Sequence, residues 1–208
     1  MSNGDLIQRY NREERVNHWV TAICFILLAL SGLALFHPAF YWLTNLFGGG
    51  PWTRILHPYV GVVLAVSFGL LAARFWDLNR ITKADREWIA HAREVILEKR
   101  EDDLPEVGRF NGGQKYLFWL MVTAIALLFV TGFLMWRPWF AGWFPIWLVR
   151  LATLLHALAA FVIIAGVIVH IYAAIWVKGS VRAMTRGTVT RAWAKRHHPG
   201  WYREVSKR

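Results

Sequence analysis

The chain has 208 residues, of which 56% are hydrophobic and 15% aromatic, yet its formal net charge is +11. Only 18% of residues are charged, against about a quarter in an ordinary soluble domain, and the mean hydropathy is +0.34. These values exclude a disordered chain, a collagen-like chain and a disulfide scaffold, and they point to an integral membrane protein. With Cys24 as the single cysteine, no intrachain disulfide, thiolate-ligated iron–sulfur cluster or zinc ribbon can be built. There is no C-x-x-C-H motif, so covalent haem attachment is also excluded. Any redox centre must be held by histidine.

Four apolar stretches reach the roughly 17–25 residues that cross a hydrocarbon layer. In chain order they predict spans over about 17–37, 53–76, 114–136 and 150–177 in a single membrane domain, 1–208. The first is no cleaved signal peptide, because it is long, follows acids as well as Arg9, Arg12 and Arg15, and lacks an A-x-A site. Lys and Arg gather in the loop 77–113 and in the tail 178–208. The 37–53 connection has none, and 137–150 has only Arg137 and Arg150 at its edges. This asymmetry places both termini and the central loop in the cytoplasm. The basic tail is therefore a topological signal rather than a nucleic-acid site. Trp and Tyr collect at the span ends, among them Trp19, Tyr59, Trp136 and Trp176, as an interfacial belt does.

Within the central loop, Thr82-x-x-Asp85 is a capping-box pattern, and Ile81, Trp88, Ile89, Val95 and Ile96 recur at helical spacing. An amphipathic helix over about 83–100 follows, resting on the membrane face or a partner. Glu101-Asp102-Asp103 and Pro105 lead on to the third span. No internal repeat or low-complexity segment stands out.

Four of the eight histidines fall in or at the spans: His18, His57, His156 and His170. An ionisable group in a span is costly and marks a functional site by default. His156 and His170 are 14 residues apart, which at about 100° per residue is some 40° short of four turns, so they share a face about 21 Å apart along the axis. By depth, His57 pairs with His156 and His18 with His170. Two imidazoles suit a bis-histidine haem iron with no open position, whereas zinc needs more ligands than lie nearby. The competing reading is a histidine hydrogen-bonded between helices. Gly32, Gly61, Gly69, Gly132 and Gly166 lie within the spans, and Gly61 and Gly166 are each four residues from a proposed ligand. They admit a porphyrin face or simply close helix packing. His37, His91, His197 and His198 are expected at the surface.

Before the third span, Arg109-Phe110-Asn111-Gly112-Gly113-Gln114-Lys115 combines polar donors with flexible backbone. It suits a quinone headgroup, and equally a helix start with a glycine turn and an amide cap.

His18-Trp19, His57-Pro58, the F-N-G-G-Q-K-Y-L-F-W run and the final H-x13-H span resemble the gamma subunit of bacterial respiratory formate dehydrogenase over about residues 5 to 200. That subunit is a dihaem cytochrome b delivering electrons to quinone. The resemblance implies an all-α integral membrane fold, a four-transmembrane-helix bundle holding two b haems. It implies ligation by His57 with His156 on the periplasmic side and by His18 with His170 on the cytoplasmic side, with a quinone site (menaquinone or ubiquinone) at Asn111, Gly112 and Gln114. It further implies an iron–sulfur partner subunit, a molybdenum- or tungsten-containing catalytic subunit reached through it, and the bacterial inner membrane. Gly113 stands where alanine is common. Rival readings are the cytochrome b subunit of a nickel–iron hydrogenase or thiosulfate reductase, a stand-alone cytochrome b, and, in another class, a haem-free transporter or anchor.

Overall fold

The computed structural model describes residues 5–91 and 107–207. In chain order these form β1 (Leu6–Gln8), α1 (Arg12–Phe36), a 3-10 segment (Pro38–Phe47), α2 (Gly50–Phe75), α3 (Lys83–Ala90), α4 (Gly112–Met135), α5 (Ile146–Trp176), α6 (Ser180–Arg186), β2 (Thr188–Thr190), α7 (Arg191–His197) and α8 (Pro199–Ser206). Helices α1, α2, α4 and α5 are long and apolar enough to cross a membrane. Their surfaces are apolar outside as well as inside; Leu70 and Ile168 are 64% and 62% exposed. In water such side chains would be a liability, and in lipid they are the expected exterior.

Each predicted span corresponds to one of these helices, and the helices begin two to five residues earlier, at α1 and α4 with polar first turns that cap them. At α1 the Asn11 N–H donates to Glu14 Oε2 and the Glu14 N–H to Asn11 Oδ1, both at 2.8 Å. At α4 the Asn111 N–H donates to Gln114 Oε1 (3.0 Å) and the Gln114 N–H to Asn111 Oδ1 (2.8 Å). Such reciprocal boxes satisfy backbone donors that a helix start otherwise leaves orphaned.

Internal contacts divide the chain into two compact units. The first comprises Val16–Leu71 and Met121–Ile168. Here the four long helices pack as a bundle: Phe36 meets Phe161 edge-on at 5.1 Å, and Tyr59 meets Trp136 at 5.2 Å. Leu64, Phe68, Ala159 and Ile163 are buried. A polar ladder joins α1 to α2, with Ser67 Oγ donating to Asn17 Oδ1 (2.6 Å) and lying 2.8 Å from Thr21 Oγ1.

The second unit comprises Met1–Arg15, Ala72–Leu120 and Val169–Arg208. Its short α3 carries the expected capping box between Thr82 and Asp85. The rest of the helix predicted over 83–100 lies outside the described residues, as do Val95, Ile96 and the acidic stretch. Lys115 of α4 makes an ion pair with Asp85 at 2.8 Å. Burial raises the Asp85 carboxyl, but hydrogen bonds from Lys115 and Thr82 outweigh it and hold the group below its usual value. Gly112 permits this contact: a Cβ there would sit 2.8 Å from the Asp85 carbonyl oxygen and 3.2 Å from the Trp88 ring. The helix start on α4 is therefore covered by α3.

Two features of this unit were not expected from the sequence. β1 and β2 pair antiparallel, with Ile7 opposite Val189, and Gly187 O accepts from both Arg9 N (2.8 Å) and Tyr10 N (3.1 Å). Val189 is almost wholly buried (1% exposed), so the basic tail is a folded part of the protein as well as a charged one. Gly187 has φ +80°, and a Cβ there would lie 2.7 Å from the Tyr10 carbonyl oxygen. A Gly187→Ala substitution is expected to cost about 1–3 kcal/mol through strain and clash. A drop in the thermal unfolding midpoint of the detergent-solubilised protein checks this; an unchanged midpoint refutes it.

The second feature is an internal repeat, which corrects the expectation that none exists. Arg9-Tyr10-Asn11-x-x-Glu14 and Arg109-Phe110-Asn111-x-x-Gln114 share the same pattern 100 residues apart. The two arginines reciprocate, Arg9 Nη2 donating to Arg109 O and Arg109 Nη2 to Arg9 O, each at 2.7 Å.

Candidate functional site

Inside the bundle, His57 on α2 and His156 on α5 face each other with ring centroids 6.3 Å apart and planes at 61°. An imidazole nitrogen lies about 1.1 Å from its ring centre and a metal–imidazole bond is about 2.0–2.1 Å, so two rings across one metal ion stand about 6.2 Å apart. The observed separation matches. Each ring also has a fixed partner at its other nitrogen: Ser31 Oγ lies 2.7 Å from His57 Nδ1, and Thr131 Oγ1 lies 2.9 Å from His156 Nδ1. Glycine follows each hydroxyl residue, and a Cβ on Gly32 or Gly132 would meet the Cε1 of the corresponding histidine at 3.4 Å. The glycines that admit the rings are thus Gly32 and Gly132 on the neighbouring helices. Gly61 and Gly69 leave space instead: a Cβ on Gly61 would meet only Leu28 at 4.0 Å, and one on Gly69 nothing within 4 Å.

Among the described residues no cluster of three or more His, Cys, Asp or Glu side chains could hold a metal ion. The paired imidazoles suit a macrocycle-bound iron, whose remaining ligands come from the cofactor. His18 stands half-buried in the second turn of α1, its ring edge-on to Trp19 at 5.5 Å. His170 is exposed near the end of α5. The two belong to different units, so their pairing rests on depth in the sequence and on the resemblance. His37 and His91 are exposed, as expected.

At the loop before α4, the boxes described above use the amide carbonyls of Asn111 and Gln114 rather than their NH2 donors. The cap expected as one alternative is therefore present, and the groups able to donate to a quinone carbonyl are not the ones it uses. The loop itself is stapled from three directions. His198 Nδ1 lies 2.9 Å from Gly108 O, the Gly200 N–H donates to Val107 O at 3.1 Å, and Arg9 holds Arg109 O. Arg9 Nη2 also lies 3.2 Å from His198 Nε2. The Arg9 guanidinium sits over the rings of Tyr10, Trp193 and Trp201 and is 4% exposed. His198 is 2% exposed, which corrects the expectation that it lies at the surface. Its position in a basic tail hid this. Of the cations at the span ends, Arg74 pairs with Glu13 and Glu14, both at 3.3 Å, and Lys115 with Asp85.

With Nδ1 donating to Gly108 O, the Nε2 of His198 must accept from Arg9, so the ring is neutral. Burial, and after it the Arg9 charge, pushes His198 down to about 3. A histidine lowered from about 6.5 on folding leaves the unfolded chain binding the extra proton between those values. Stability is therefore complete above pH about 6.5 and falls as the pH drops toward 3, by up to about 1.4 kcal/mol per pH unit. Protection of the amides of residues 107–111, taken relative to the intrinsic exchange rate at each pH, should fall over this range, and the slope should flatten in His198→Gln. A pH-independent protection factor would refute the neutral clamp.

A pair of facing imidazoles within a four-helix membrane unit is the arrangement of a membrane-embedded b-type cytochrome. The chain belongs to the prokaryotic cytochrome b561 family, which it matches over residues 9–187. It is 47% identical over 207 residues to the formate dehydrogenase cytochrome b556(fdo) subunit of Escherichia coli, covering 100% of this chain and 97% of that one. It is 43% identical to the nitrate-inducible formate dehydrogenase cytochrome b556(Fdn) subunit of the same organism, over 100% and 95% of the two chains. The formate dehydrogenase cytochrome b556 subunit of Haemophilus influenzae is also 43% identical, over 98% of this chain and 85% of that protein.

Proposed function

We propose that the chain is the membrane subunit of a respiratory formate dehydrogenase, carrying electrons from a partner iron–sulfur subunit through two b haems to membrane quinone. The observation that carries this is the His57–His156 pair, at the separation two imidazoles need across one iron. The full-length similarity to formate dehydrogenase cytochrome b subunits supports the choice of complex. Haem iron between two imidazoles supplies one-electron transfer with no open coordination position.

His57 and His156 hold one iron, and His18 and His170 the other, the second pair resting on sequence depth and resemblance. Asn111 and Gln114 offer NH2 donors to the quinone carbonyls, and Gly112 lets α3 approach the helix start that carries them. The positive-inside asymmetry supports cytoplasmic termini in the bacterial inner membrane, with the His57 end of α2 toward the periplasm. The iron–sulfur subunit then docks outside and protons for quinone reduction are taken from the cytoplasm. Formate oxidation belongs to a molybdenum- or tungsten-containing subunit reached through the iron–sulfur partner.

The test is haem per chain by pyridine haemochrome, together with co-purification of the complex. Two b haems and a retained iron–sulfur subunit are expected. A folded, colourless protein from haem-replete cells would end this reading in favour of a transporter or anchor.

A further inference from the structure

The two histidines of the bundle do not sit in arbitrary surroundings. Ser31-Gly32 on α1 faces His57 on α2, and Thr131-Gly132 on α4 faces His156 on α5. The hydroxyl residues are 100 positions apart, like Arg9 and Arg109, and the histidines are 99 apart. The repeat seen at the helix starts therefore continues into the bundle, and it delivers the same three-part device twice: hydroxyl, glycine, imidazole.

The hydroxyls fix the direction of these hydrogen bonds. Ser31 Oγ lies 2.7 Å from Leu27 O and 3.3 Å from Leu28 O; Thr131 Oγ1 lies 2.6 Å from Leu127 O and 3.3 Å from Leu128 O. A carbonyl oxygen only accepts, so the single hydroxyl proton is directed back along its own helix. Toward the imidazole the hydroxyl oxygen can then only accept. Nδ1 of His57 and of His156 must therefore carry the proton, leaving the Nε2 lone pair as the one available to a metal. A hydrogen bond from the non-ligating nitrogen also orients the ring and strengthens it as a donor.

We propose that Ser31 and Thr131 are positioning residues that select the Nε2-ligating form of His57 and His156 and jointly lower the reduction potential of a single haem. The proposal rests on the assignment of these histidines as axial ligands and extends it to the residues behind them. A stronger imidazole donor favours ferric iron, so loss of either acceptor raises the potential. Because the repeat makes the two sides equivalent, both losses act on one centre in the same direction.

The experiment is an equilibrium redox titration of the purified complex, followed by haem absorbance, with electron paramagnetic resonance of the ferric low-spin signals. Ser31→Ala and Thr131→Val are expected to move the same one of two midpoints upward, to move it further when combined, and to alter the g values of that signal alone. Ser31→Thr and Thr131→Ser are expected to keep the wild-type values. If Ser31→Ala loses the haem, its recovery in Ser31→Thr supports the role, and its loss in both counts against it. Unmoved midpoints and g values, or effects on two different haems, would overturn the proposal. His57→Ala separates this from the underlying assignment: if that variant keeps both haems, the ligand reading itself has failed.

Discussion

Replacing His57 or His156 with alanine is expected to remove one b haem from the complex while the other stays bound and reducible by quinol. On the assignment of His57 and His156 as axial ligands, either substitution takes away one of the two imidazoles that would hold the iron. On the proposed electron path, the variants should therefore fail completely in formate-to-quinone electron transfer, because that path enters from the partner subunit at this haem. The reduced-minus-oxidised spectrum should fall to half its amplitude, with the remaining half responding normally to added quinol. Retention of the full amplitude in both variants would sink the pairing.

The second large effect is expected from Arg9, a residue about which the sequence offers no functional hint. Its guanidinium donates to Arg109 O and lies within hydrogen-bond distance of His198 Nε2, under a roof of Tyr10, Trp193 and Trp201. Arg9→Ala removes charge-assisted bonds of about 1.5–3 kcal/mol each and leaves a buried carbonyl and a buried ring nitrogen without a donor. The loop 107–111 then loses the restraint that presents Asn111 and Gln114. On the quinone assignment, turnover with quinone should fall at least about tenfold, the equivalent of about 1.4 kcal/mol, with haem content and both spectra unchanged. Arg9→Lys should rescue little, since an ammonium does not reproduce the planar fork. Wild-type quinone kinetics in Arg9→Ala would show that the loop needs no such restraint.

Much of this architecture was legible in the sequence because the membrane imposes simple rules. Uncharged stretches of the right length gave the four helices, and isolated histidines within them gave the candidate ligands. The Thr82–Asp85 box was readable because its chemistry is local. What stayed hidden depends on long-range partners. Strands of three residues such as Leu6–Gln8 and Thr188–Thr190 have too little alternation to register, and only their pairing makes them strands. Ser31 and Thr131 look like ordinary small polar residues of a span until the opposite helix is in place. His198 sits among Lys195, Arg196, His197 and Arg203, a context that suggests solvent, yet three aromatic rings and Arg9 enclose that region. The repeat was in principle visible, since R-[YF]-N-x-x-[EQ] occurs twice. Its halves diverge where His18 stands opposite Phe118 at the same offset of 100, and that difference obscured the rest.

The three-way staple on Val107–Arg109 also has a bearing on biosynthesis. Its parts come from residue 9, from the middle of the chain and from residues 198–200, so it closes only after translation has passed the last membrane helix by some twenty residues. A nascent chain with all four helices inserted still has an unlocked loop. Completion of this region thus reports that translation has run past Gly200, and a chain clipped ahead of His198 would lack two of the three contacts that hold this loop.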